Sequence, residues 1–170
     1  MPAYVALLRA INVGGTGKLA MADLKALCEE AGFAKVKTYI QSGNVMFTSR
    51  LGEAKVKATL EKALAAHMGK PFPAIVRTAD EMADVLKRNP FAAHPPNRVV
   101  ASFLDEPAPK DALKALVAPG GEQVKLSRRE IFIYYPEGMA DTKLKLPALA
   151  KGTARNINTI GKLAAMAAAL

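Results

Sequence analysis

Apolar side chains change their spacing at intervals along the chain, and the changes mark out elements. Residues 4–11 are dense in Val, Leu and Ile with no helix cap before them, which predicts a largely buried strand. Met21, Leu24, Leu27, Cys28 and Ala31 recur at three- and four-residue steps, the period of a helix with one apolar face. Gly32 stands where a helix end turns left-handed. Residues 35–41 and 44–48 flank Ser42-Gly43 and read as a β-hairpin. Val56, Leu60, Ala63, Leu64 and Met68 predict a second helix closed by Gly69. Residues 72–77 read as a fourth strand. Thr78-Ala79-Asp80-Glu81 then has the capping-box spacing that opens a helix, which Pro90 ends.

This order, βαββαβ and a helix, is that of a ferredoxin-like split βαβ unit. It begins again after the proline-bearing link at 89–96, with a strand at 99–104, a helix at 109–118 and a hairpin of 123–126 and 131–135 around Ser127-Arg128-Arg129-Glu130. Residues 139–151 carry no clear period, 153–170 read as a terminal helix, and no last strand is evident. The expected class is α+β: two ferredoxin-like repeats with antiparallel sheets, residues 1–90 and 97–170, the second incomplete and followed by a C-terminal helix.

Composition narrows the classes. With 51% of 170 residues apolar and one cysteine, the chain can bury a core; disorder, collagen and a disulfide framework are excluded. Charged residues interrupt each apolar stretch short of the roughly 20 residues of a membrane span. The first residues read as a strand, without a basic leader, so the expectation is a cytoplasmic protein with Cys28 reduced and no membrane partner. The net charge is +9, spread so that residues 1–50, 51–100 and 101–170 each carry 3 more basic than acidic side chains. Even spreading suits a solvated surface, so nucleic acid is expected to bind weakly, without sequence preference and with strong salt dependence. Asn44-Val45-Met46-Phe47-Thr48 offers Phe47 alone for base stacking. Only residues 140–170 are locally basic, with Lys143, Lys145, Lys151, Arg155 and Lys162 facing Asp141.

Candidate chemistry is sparse. Gly15-Thr16-Gly17-Lys18-Leu19-Ala20 fits G-x-G-x-x-[GA]. However, Lys35, Lys37 and Thr38 stand where a ribose-binding acid belongs, and the following hairpin breaks the parallel sheet of a dinucleotide fold. A Walker A loop fails at Asn12 and Leu19, leaving a flexible turn or a cradle for a smaller anion. His67 and His94 lack acidic or cysteine neighbours at ligand spacing, so no metal is expected, and Cys28 on an apolar helix face reads as a small hydrophobe. Arg9 is more informative: alternation sets it in a row with Val5, Leu7 and Ile11, and its guanidinium either pairs internally or forks onto a carboxylate or phosphate. On the expected terminal helix, Asn158, Thr159 and Lys162 fall within about 60° of Arg155 at about 100° per residue, making one polar face.

Three runs carry a resemblance: Leu7-Leu8-Arg9-Ala10-Ile11-Asn12-Val13-Gly14-Gly15, Tyr39-Ile40-Gln41-Ser42-Gly43-Asn44-Val45, and the segment opening Gly152-Thr153-Ala154-Arg155-Asn156 and continuing through Leu163. Together they resemble the bacterial domain-of-unknown-function family 1697. The resemblance implies an α+β fold with a ferredoxin-like duplication and no assigned activity. The leading functional expectation is a binding module for a small anionic or phosphate-bearing ligand. Arg9 and Arg155 would fork onto the anion, Lys162 would supply a point charge, Asn12, Gln41 and Asn44 would fix its orientation, and Ser42, Asn156 and Thr159 are further candidate contacts. No cofactor is identified. The alternatives are an enzyme relying on a bound cofactor or on substrate groups, and a structural or protein-interaction module.

Overall fold

The first apolar run folds as strand β1 (Ala3–Leu8), with β2 (Ala34–Tyr39), β3 (Asn44–Thr48) and β4 (Ala74–Thr78), into an antiparallel sheet of order β2-β3-β1-β4. The coordinates are a computed structural model that describes residues 1–9, 19–39 and 43–170. The expected continuation of β1 to residue 11 and of β2 to residue 41 falls outside the described residues. Both faces of β1 are buried from Tyr4 to Leu8, so the strand reads as a continuous apolar run instead of an alternating one. Helices α1 (Met21–Glu30) and α2 (Glu53–Met68) cover the face of Tyr4, Ala6 and Leu8 through Leu24, Cys28, Val56, Leu60 and Leu64, with Phe33 stacked on Phe47 at 4.2 Å.

Each helix ends as its residues dictate. Gly32 (φ 94°) follows α1, and the Phe33 amide donates back to Cys28 O, closing a Schellman-type turn. Gly69 (φ 74°) ends α2 by donating to Ala65 O. At helix α3 (Ala79–Arg88) the capping box forms in full: the Glu81 amide donates to Thr78 Oγ1 and the Thr78 amide to Glu81 Oε1.

The second sheet joins β5 (Val99–Phe103), β6 (Gln123–Ser127), β7 (Glu130–Tyr134) and β8 (Thr153–Asn156) in the order β6-β7-β5-β8, again antiparallel throughout. Counted within its own half, each sheet runs second, third, first, fourth. The protein is thus α+β, with two four-stranded antiparallel sheets and four helices among the described residues. Two compact units contain them: Met1–Ala83 with Lys162–Leu170, and Asp84–Gly161.

Three expectations are corrected here. The second half does not lack a last strand, because residues expected to begin the terminal helix pair as β8 with β5; helix α4 starts only at Ile157 and runs to Ala168. The second sheet is therefore complete. The helix expected at 109–118 is a single 3-10 turn, Ala112–Ala115. Pro119 disfavours the helical region at Ala118, and Val117 exchanges two backbone hydrogen bonds with Lys145, which holds the chain extended. One turn suffices to set Leu113 and Leu116 on the core of Val100, Leu104, Ile131, Ile133, Tyr135 and Leu146. The segment 139–151 contains a matching 3-10 turn, Pro147–Lys151, packed on the first.

Candidate functional site

In the first unit, the Leu8 amide donates to Gly43 O at 2.9 Å, and Leu7 stands opposite Asn44 in the β1–β3 register. The end of β1 therefore lies against Gly43 and the start of β3. Gly43 has φ 82°, a conformation that a glycine adopts without strain. Arg9 is half-buried just past β1, its amide donating to Pro73 O. Asn44 is fully buried, and its Nδ2 donates to Tyr39 O at 2.9 Å across the hairpin mouth. Asn12, Gln41 and Ser42 lie outside the described residues, as do residues 14–18 of the glycine loop.

The C-terminal run belongs to the second unit as far as Gly161. Arg155 is on a strand, not on a helix face, so the wheel that grouped it with Asn158, Thr159 and Lys162 does not apply to it. It stands opposite Ala101 and is buried; Nη1 donates to Thr153 Oγ1 at 2.7 Å and to Ala154 O at 2.9 Å. Burial pushes its guanidinium down to about 10. Asn156 Oδ1 accepts the Thr159 amide at 2.8 Å, the geometry of a helix cap, which accounts for an Asn here without a ligand. Lys162 is exposed and falls in the first unit, as does Arg9.

Three buried charges were missed in the sequence, of which Glu122 accepts from the Gly120 amide close by in the chain and the other two lie on strands. Arg77 on β4 stands opposite Val5, as Arg155 on β8 stands opposite Ala101, and its Nη1 likewise donates to the preceding carbonyl, Val76 O. The two arginines occupy the same place in their sheets. The alternation of Ile75 and Arg77, an apolar row ending in a charge, was the available signal. The second is Glu130, which is buried and paired with Arg88; Arg88 also donates to Asp84 Oδ2 at 2.7 Å and Ser127 Oγ at 2.8 Å. Its hydrogen bond from Arg88 holds the Asp84 carboxyl below the usual carboxylate range.

The second unit also carries a groove of about 960 Å³, between residues 104–115 and the turn Pro147–Lys151. Elsewhere Cys28 is fully buried and its thiol is pushed up to about 12 by that burial. Among the described residues, no group of three or more His, Cys, Asp or Glu side chains gathers as a metal site, and no helix is long and apolar enough to cross a membrane.

Comparison with known proteins places this geometry. No curated protein sequence matches the chain. Among solved structures, that of the conserved bacterial protein SP0830 from Streptococcus pneumoniae matches with a TM-score of 0.81 and 28% identity, covering 97% of this chain and 98% of that one. The family model described as "Protein of unknown function (DUF1697)" matches residues 1–132, a stretch that includes the runs at 7–15 and 39–45. With that match over most of its 170 residues, the chain belongs to the DUF1697 family of proteins of unknown function.

Proposed function

We propose that the chain is a binding module for a small anionic or phosphate-bearing ligand, with its candidate contacts chiefly in the first unit. Arg9 would supply a planar fork just past the end of β1, and Asn12, Gln41 and Ser42, which lie outside the described residues, are the further candidates for orienting the anion. The observation that supports this reading is the Leu8 to Gly43 hydrogen bond, between the end of β1 and the residue before β3. Asn44 holds the hairpin mouth and acts by positioning.

Arg155, Asn156, Thr159 and Lys162 are further candidate contacts, independent of Arg9. Asn156 and the Thr159 amide already form a cap, and Arg155 already donates inside its own unit. The repeated strand order supports reading residues 1–90 and 97–170 as two ferredoxin-like repeats. A thermal-shift screen over nucleotides, phosphosugars and simple polyanions, repeated on Arg9→Met, tests the binding role. Stabilisation of the parent by a phosphate-bearing compound, lost in a folded Arg9→Met, supports it; stabilisation unchanged by that substitution contradicts the assignment.

A further inference from the structure

The groove of the second unit differs in charge from the rest of the molecule. Its apolar surface includes Leu104, Ala108 and Ala112, and Pro107, Pro109 and Pro147 stiffen its two lips. Of its lining, the side chains from 104–115 include Asp105, Glu106 and Asp111 against Lys114, with Lys110 in the same segment but not lining it; those from Pro147–Lys151 include Lys151 as their one charge. These charged side chains are exposed at the mouth. On a chain of net charge +9, the lining from one segment is thus net acidic and that from the other net basic.

We infer that this groove binds a short apolar peptide with free termini, its amine toward the acidic wall and its carboxylate toward Lys151. A simple anion would meet the acidic wall, and a simple cation would meet Lys151, so neither complements both sides. A ligand bearing both charges with apolar matter between them complements the walls and the floor together. The volume of about 960 Å³ suits a few residues of extended chain. This site is separate from the anion reading of Arg9 and stands or falls without it.

The test is calorimetry and amide-shift NMR with an unblocked tripeptide of alanine and leucine, its N-acetylated form, its C-amidated form, and the doubly blocked form. The expected result is saturable binding with shifts at residues 104–115 and 147–151. Blocking either terminus should weaken binding by about fivefold, the scale of one exposed ion pair. Lys151→Glu should weaken the unblocked peptide but not the C-amidated one, and Glu106→Lys with Asp111→Lys should do the converse for the amine. These positions are exposed, so the variants should remain folded, which circular dichroism confirms; Arg9→Met should bind the peptide as the parent does. Absence of shifts at the groove, equal binding of all four peptides, or binding unaffected by both wall variants would overturn the proposal.

Discussion

Cys28 shows how far a single side chain can be read from its spacing. Its place in the three- and four-residue apolar rhythm marked it as an inert hydrophobe, and the fold buries it fully with its thiol pushed up to about 12. In the native protein at pH 8 it should resist thiol reagents and react at once when denaturant is added; rapid native labelling would show the helix face open. Gly152 is the opposite case. A Cβ there would stand 2.5 Å from Ser102 Oγ and 2.9 Å from Phe103 O, so Gly152→Ala should cost about 1–3 kcal/mol in denaturant melts. Nothing local announces this, because the crowding comes from the pairing of β8 with β5, residues about fifty apart in sequence. Arg77 escaped for a similar reason: its burial depends on what its strand pairs with, although its row was visible.

Elements with strong local signals were legible: α1 and α2 from periodicity and terminal glycines, α3 from its reciprocal cap, and both hairpins from their turns. The errors fall where tertiary pairing overrides local preference. A four-residue strand running directly into a helix has helical company on one side and no turn between, so β8 was absorbed into α4, and Asn156 was read as a ligand contact although its Oδ1 accepts the Thr159 amide as a cap. Residues 109–118 have helical spacing, but so short a segment needs packing along its length, and the Val117 to Lys145 pairing directs the chain otherwise. The end of α3 is fixed by charge. Arg88 joins Asp84, Ser127 and the buried Glu130, pinning the helix to the β6–β7 turn, where Arg128 adopts φ 53°. Arg88→Met removes the partner of a buried carboxylate and should cost about 3 kcal/mol, much of it recovered by adding Glu130→Leu; no recovery would mean that packing, not charge, is the cause. Asp84 has a folded-state value below its ordinary one, so its contribution is complete above the usual carboxylate range and lost as pH falls through the lowered value. Asp84→Asn should flatten that acid-side decline in urea melts run across pH, and an unchanged slope would contradict it.

The molecule as a whole carries +9 without a long basic run, and its three stretches share the excess equally. Association with duplex DNA should therefore be weak, indifferent to sequence and steeply salt-dependent, because counterion release supplies it. Tight binding at physiological salt that discriminates between sequences would contradict this. Charge and apolar content were legible as bulk properties, and so was the α+β class. The convergence of Leu7 and Leu8 on Asn44 and Gly43 was not, since it depends on the register of β1 against β3. The binding role proposed for that convergence is tested most directly by titrating parent and Arg9→Met with the strongest phosphate-bearing compound from the screen, each protein first matched for fold by its denaturant midpoint. Saturable binding by the parent and a loss of about tenfold or more in the variant, the scale of one charge-assisted fork, is the expected result; equal affinity in the two proteins would contradict it.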